Sequence, residues 1–154
     1  MRKLLLLGIG ATGLVGVAVA QTPARTPAQL VQARQASYKQ IQGAMKGLSD
    51  QLRAAEPSLP AIRQHSALLA RLAPQVSGWF PAGTGAEAGV RTRAKAEIWS
   101  NRAAFRTASV NLVVAARRIN AAAAANDLAA VRAALPTLGG ACRTCHDQFR
   151  GPEN

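Results

Sequence analysis

The side chains best suited to chemistry in this sequence are two cysteines and a histidine near its C-terminal end. Cys142, Cys145 and His146 form a C-x-x-C-H motif, and the sequence contains only these two cysteines. Thiols at this spacing can each add to a vinyl group of a porphyrin, and the adjacent imidazole can then bind the iron as an axial ligand. The motif therefore predicts one covalently bound haem c with His146 as the metal ligand.

A zinc site and a redox dithiol are the alternative uses of these thiols. A zinc site needs about four ligands, and outside the motif only His65 is a strong one. A thioredoxin-like dithiol normally lies in a βαβ unit, and no segment of this sequence is typical of a strand. Covalent haem attachment is therefore the favoured interpretation.

The N-terminus has the pattern of an export signal. Arg2 and Lys3 precede an uncharged run over residues 4–20 that ends in Ala-Val-Ala, as in a signal peptide with its cleavage site. We expect a signal peptide over residues 1–20 and one mature domain over residues 21–154. An uncleaved anchor is the alternative, because the run is only slightly short for a membrane span. Since c-type haem is attached outside the cytoplasm, motif and signal together predict a periplasmic protein with no stable membrane anchor after cleavage.

The mature chain is strongly basic. Without Arg2 and Lys3 it retains 17 of the 19 lysine and arginine residues against 7 acidic ones, and the basic residues are spread along the sequence. Such a charge favours an acidic partner protein or an anionic surface, and the alternative is simply a solvated basic face. Nucleic acid is a poor partner for an exported chain, so we expect none.

The sequence predicts an all-α protein. Alanine is abundant, β-branched residues are few, and no Asn-Gly or Asp-Gly pair marks a hairpin. Apolar residues recur in steps of three and four along four segments, which predicts an antiparallel four-helix bundle. We expect the helices at about 28–55, 60–79, 94–125 and from Leu128 to Phe149. A loop rich in glycine and proline separates the second helix from the third.

Several residues are expected to begin, end or distort these helices. Thr26 can cap the first helix with Pro27 at its first position, and Asp127 can cap the fourth. Pro74 is expected to bend the second helix or end it early, and Pro136 to kink or break the fourth. In the fourth helix both thiols continue the apolar stripe, so a bound haem would lie against the bundle interior.

The residues also carry a resemblance to a known family. Four segments match it: Arg34-Gln35-Ala36-Ser37-Tyr38, Phe80-Pro81-Ala82-Gly83-Thr84, Ala96-Glu97-Ile98-Trp99-Ser100 and residues 139–150. Along nearly the whole mature sequence the chain resembles cytochrome c′, the class II c-type cytochromes. The resemblance implies that Cys142 and Cys145 form the thioethers and that His146 is the proximal iron ligand. It also implies that Arg150 lies beside the proximal face of the haem; the alternative is a helix C-terminal cation favoured by the helix dipole.

The same resemblance places three residues of the first helix near the haem. Arg34 is a charged residue inside the apolar stripe of the first helix and is expected to pair with a haem propionate. The alternative is that its side chain extends from the stripe into solvent. Gln35 is expected to be a lesser, solvent-facing contact. Tyr38 corresponds to the residue above the iron. Its expected role there is that of a gate, of a hydrogen-bond donor, or simply of an aromatic ring that fills the pocket.

The sixth ligand of the iron decides between two functions. Tyr38 occupies the position where low-spin relatives such as cytochrome c556 have a methionine. We therefore expect five-coordinate, high-spin iron that binds small gases, NO or CO, with a role in NO buffering or electron transfer. The alternative is a low-spin electron-transfer cytochrome in which Met45, otherwise a core residue, binds the iron. His65 is expected to be a packing residue.

The remaining expectations concern partners and catalysis. No base, nucleophile and orienting group are visible together, so we do not expect an enzyme. The expected partners are small gases and an acidic redox protein. Similar proteins dimerise through their first two helices, and the sequence leaves a homodimer open.

Overall fold

Within residues 24–152, the protein consists of four longer helices packed side by side and one helix of four residues. In a computed structural model, which describes residues 24–152, the helices are α1 Pro27–Arg53, α2 Leu59–Leu72, α3 Glu97–Ser100, α4 Arg102–Ala124 and α5 Leu128–Phe149. Helix α1 packs on α2, α2 on α4, and α4 on α5. The predicted antiparallel four-helix bundle is confirmed, whereas the predicted signal peptide lies outside the described residues. Between residues 24 and 152, no helix is long and apolar enough to cross a bilayer.

The first helix begins where the sequence predicts. The Thr26 side chain accepts a hydrogen bond from the Gln29 backbone N–H, and the Gln29 side chain accepts one from the Thr26 backbone N–H. This reciprocal capping box satisfies two N–H groups that a helix start otherwise leaves without partners, and Pro27 fits the first position because it has no N–H to satisfy.

The second and third predicted helices are shorter than expected. Helix α2 is α-helical only to Leu72 and continues as a 3-10 segment over Ala73–Trp79, as expected if Pro74 disrupts the helix. The predicted continuous helix over 94–125 is wrong, because Asn101 divides it into α3 and α4. Asn101 has a non-helical backbone and its side chain accepts from the Ala104 N–H, so it caps α4 rather than continuing α3.

The fourth predicted helix has no break. Helix α5 begins after Asp127, which accepts a hydrogen bond from the Ala130 N–H at 2.9 Å, and runs through Pro136 to Phe149. Of the kink or break expected at Pro136, the break does not occur, because α5 continues through the proline. Val131 and Leu138, on either side of the proline, are fully buried, and we attribute the continuity of the helix to this packing, which offsets the lost backbone hydrogen bond.

Aromatic rings fill the end of the core nearest the thiols. Phe105 makes edge-to-face contacts with Phe80 and with Phe149, at centroid distances of 5.1 and 5.2 Å. Because such contacts stabilise one relative orientation of the rings, they join the loop before α3, helix α4 and the C-terminal end of α5. The rings therefore fix how these three segments pack against one another.

A short backbone pairing holds the C-terminal end of α5. Ala94 and Arg150 form an antiparallel β-bridge; the Lys95 N–H donates to the Phe149 carbonyl, and the Gly151 N–H donates to the Arg93 carbonyl at 2.7 Å. The Arg93 Nε also donates to the Gly151 carbonyl at 2.8 Å. The segment after the motif is thus attached to the segment before α3, a contact that the sequence did not predict.

Candidate haem site

A cavity of about 550 Å³ lies between α1, the segment before α3, α4 and α5. Its volume falls within the roughly 300–1,000 Å³ typical of ligand and cofactor sites. All seven residues predicted for the site line it: Arg34, Gln35, Tyr38, Cys142, Cys145, His146 and Arg150. The structure thus brings together two separate parts of the sequence: the first half of α1 and the C-terminal end of α5.

The motif forms one wall of this cavity. Residues three and four apart share a helix face, so α5 presents Cys142, Cys145 and His146 together. Both thiols are half-buried and not joined in a disulfide, and burial raises the pKa of Cys142 and of Cys145. Burial, together with the nearby Arg150 and Arg93, lowers the pKa of His146, which favours the neutral imidazole that can bind a metal.

Helix α1 supplies another wall, at Tyr38. Its ring contacts Trp79 edge-to-face at a centroid distance of 5.1 Å and lies 6.3 Å from the Phe80 ring. Burial, followed by the nearby Cys145, raises the pKa of Tyr38 well above its ordinary value. The phenol is therefore neutral at physiological pH, and two aromatic neighbours restrict its position.

Arg34 is buried and bound to the loop beside the cavity. Only 3% of its surface is exposed. Its Nη1 donates to Thr84 Oγ1 at 2.9 Å, and its Nη2 donates to the Thr84 carbonyl at 2.7 Å and to Thr92 Oγ1 at 2.8 Å. The guanidinium also lies over the Phe80 ring, 4.5 Å from its centroid. Extension of Arg34 into solvent, the alternative raised from the sequence, is therefore wrong.

The hydrogen bonds of Arg34 make it a link between α1 and the loop. Burial lowers its pKa, opposed by Tyr38 and Glu87, but a guanidinium keeps its charge in proteins. Three of its donors are used by loop oxygens in this structure. These partners lie far along the sequence, and nothing in the residue pattern pairs them with Arg34, so sequence analysis missed Thr84 and Thr92 as supporting residues.

Gln35 and Arg150 lie at the exposed side of the cavity. Gln35 is exposed, as expected, and its Nε2 donates to the Arg91 carbonyl at 2.8 Å, which adds a second link from α1 to the loop. Arg150 ends α5, and its N–H donates to the His146 carbonyl at 3.0 Å. Its charge lies near the imidazole, as the pKa of His146 indicates.

Met45, the alternative iron ligand, and His65, the expected packing residue, have different surroundings. Met45 packs against the core and also lines the cavity. The His65 ring is absent from the cavity lining and lies against α1, where it occupies the space beside Gly47. His65 therefore packs between α1 and α2. Within residues 24–152, no three or more His, Cys, Asp or Glu side chains lie close enough together to hold a metal ion.

The cavity has the chemical features that a haem requires. Its lining includes the apolar residues Ile41, Val76 and Leu112, while Arg93 and Arg150 supply positive charge. A flat apolar macrocycle with two carboxylates would match this arrangement, because its ring needs apolar surface and its carboxylates need cations. The thiols and the imidazole would supply the covalent and axial bonds. The residues present thus fit a haem.

Comparison with known proteins agrees with this geometry. Residues 29–150 match the family model described as cytochrome c′. The cytochrome c′ of Pararhodospirillum photometricum is 33% identical over 125 residues, which cover 81% of this chain and 98% of that protein. The cytochrome c′ of Rhodospirillum rubrum is 33% identical over 150 residues, which cover 96% of this chain and 98% of that protein. A nitric oxide complex of a mutant cytochrome c′ from Alcaligenes xylosoxidans superposes with a TM-score of 0.74 at 26% identity, covering 82% of this chain and 98% of that one. The chain therefore belongs to the cytochrome c′ family of haem proteins.

Proposed function

We propose that the mature chain is a periplasmic protein that binds one haem c through Cys142 and Cys145 and uses it to bind NO or CO. The observation that carries the proposal is the cavity that has the thiols and His146 on one wall and Tyr38 on another. A bound haem would supply the iron to which the gas binds, with His146 as the protein ligand. NO handling and electron exchange are the physiological roles that fit such a protein.

The side chains determine which ligands reach that position. Tyr38, Phe105 and Leu112 give part of the cavity an aromatic and apolar lining, which favours small neutral ligands over polar or charged ones there. Bound dioxygen depends more on a hydrogen-bond donor than CO does, and the polarity of the distal pocket is one of the properties that decide ligand choice. The support from relatives is the nitric oxide complex of the Alcaligenes xylosoxidans protein.

A second candidate function is electron transfer by low-spin iron with Met45 as sixth ligand. The observation that favours it is the position of Met45 in the cavity lining, two helical turns beyond Tyr38 on α1. The optical spectrum of the ferric protein separates the candidates. We expect a high-spin spectrum and rapid CO uptake after reduction; a low-spin spectrum with a methionine-to-iron charge-transfer band would instead support Met45 ligation.

Tyr38→Ala is expected to speed ligand entry. Tyr38 lines the cavity, and by the family resemblance its ring would lie on the ligand side of a bound haem. Removing the ring would enlarge the cavity there, so a steric barrier to ligand entry falls. We expect the CO association rate constant of the ferrous protein, measured by stopped flow, to rise by about tenfold or more, equivalent to at least ~1.4 kcal/mol in the barrier.

Two matched variants identify what Tyr38 contributes. Tyr38→Phe keeps the ring and removes the hydroxyl, so its rate stays near that of the unmodified protein if the effect is steric. Met45→Leu changes another cavity residue on α1 and should preserve the high-spin spectrum. An unchanged rate for Tyr38→Ala would contradict the proposed gate.

A further inference from the structure

Helix α4 has an apolar patch on its exposed side. Val110 and Val114 are 53% and 61% exposed, the two large apolar side chains that are most open to solvent between residues 24 and 152. They are four residues apart and therefore adjoin on the helix surface. Arg106 lies one turn before Val110, and Arg117 lies about one turn after Val114; both are exposed. We call these four residues the α4 stripe.

The charges around the stripe have one sign. Helix α4 contains four arginines and no acidic residue. Arg102 donates to the Phe80 carbonyl at 3.0 Å, whereas Arg106, Arg117 and Arg118 make no hydrogen bond or ion pair with another described residue. Their guanidinium groups are thus open to charges outside the molecule.

A groove of about 360 Å³ runs beside the stripe, between α4 and α5. Val114 and Asn111 line it from α4, and Thr137, Ala141 and Thr144 line it from α5. Ala141 also lines the haem cavity, so a single helix, α5, separates the groove from the candidate haem site. Through Val114 the stripe therefore adjoins a groove that lies one helix away from the candidate haem site.

We propose that the α4 stripe and this groove bind an acidic protein that exchanges one electron with the haem. The proposal rests on the proposed function, because it requires the haem in the cavity. An apolar centre with charged residues at its rim is the usual arrangement of a protein interface, and complementary charge steers association. A second copy of this chain is a poor occupant, since it would bring arginines against arginines.

The electron-transfer step involves no change in bonds. The reduced group of the partner loses one electron, and the ferric iron gains it to become ferrous. No proton moves and no group is transferred, so the surface needs only to hold the partner close to α5. Short-lived binding of this kind suits a small interface.

Reduction of the haem-loaded protein by flavodoxin, a small acidic one-electron carrier, tests the proposal. The rate is measured by laser flash photolysis, and the dissociation constant by calorimetry. In Arg106→Glu/Arg117→Glu we expect the second-order rate constant at low ionic strength to fall about tenfold or more, within the range of electrostatic steering, and binding to weaken. Both differences should shrink at high salt because exposed charges are screened.

The control is Arg25→Glu/Arg71→Glu, which changes the net charge equally at exposed positions outside α4 and α5. It should alter the rate constant much less. Val110→Ser/Val114→Ser should weaken binding by an amount that persists at high salt. Equal effects of both arginine pairs, or no effect of Arg106→Glu/Arg117→Glu, would overturn the docking site.

Photoreduced lumiflavin, a small neutral flavin, separates this outcome from failure of the proposed function. It should reduce the unmodified protein and every variant at the same rate, since it needs no charged surface. If lumiflavin fails to reduce the unmodified protein, the proposed haem site is wrong. If lumiflavin reduces the unmodified protein but the rate constant with flavodoxin is the same in Arg106→Glu/Arg117→Glu as in the unmodified protein, only the docking proposal is wrong.

Discussion

Replacement of Cys142 and Cys145 together by serine is expected to give a protein without covalently bound haem. Both thiols line the cavity on one face of α5, and serine cannot form the thioether bonds that this motif makes with a porphyrin. The unmodified protein, produced in cells competent for cytochrome maturation, should have the mass of the processed polypeptide plus one haem. The double variant should have the mass of the polypeptide alone and no haem absorbance after denaturation.

A change between the thiols provides the control. Thr144 lies inside the motif but is exposed and lines the groove on the other side of α5. Thr144→Ala should therefore keep the full mass of the haem adduct. The assignment of the thiols would be contradicted by a haem adduct in the double serine variant, or by unmodified protein with the mass of the polypeptide alone.

The part of the site on α5 could be predicted from the sequence because it is local. A helix fixes which residues share a face, so the positions of Cys142, Cys145 and His146 relative to one another follow from their spacing. Periodicity does not say which helices adjoin across a cavity. The family resemblance supplied that step for Arg34 and Tyr38, and the structure places both in the same cavity as the motif.

Other features depend on packing that the residue pattern does not contain. Asn101 ends one helix and caps the next, although the sequence on both sides of it predicts one continuous helix. Pro136 sits inside an unbroken α5. The bonds of Arg34 reach residues 50 and 58 positions away. In each case a tertiary or capping contact decides the conformation, and it outweighs the local preference that the sequence shows.

These long-range bonds lead to the second large effect, a loss of stability in Arg34→Met. Methionine has a similar length but cannot donate hydrogen bonds, so the fully buried Thr84 would lose the two bonds to its hydroxyl and carbonyl oxygens. Leaving buried acceptors without donors costs about 1–3 kcal/mol each. Part of this cost is offset because no charge is buried in the variant. We expect the free energy of unfolding of the haem-loaded protein, from urea titration followed by circular dichroism, to fall by about 2–4 kcal/mol.

Graded variants and local measurements test whether Arg34 acts through the loop. Thr92→Val removes the hydroxyl that accepts from Arg34 Nη2 and from the Ala94 N–H, and it should cost about 1–2 kcal/mol. Lys39→Met, which removes an exposed charge from the same helix, should change stability by less than about 0.5 kcal/mol. Hydrogen exchange in Arg34→Met should be faster in residues 83–93 than in the unmodified protein and unchanged in the middle of α4, because only the loop loses its attachment to α1. If stability fell but exchange in the loop did not change, the guanidinium would be acting on another partner, and a haem propionate would then account better for its burial.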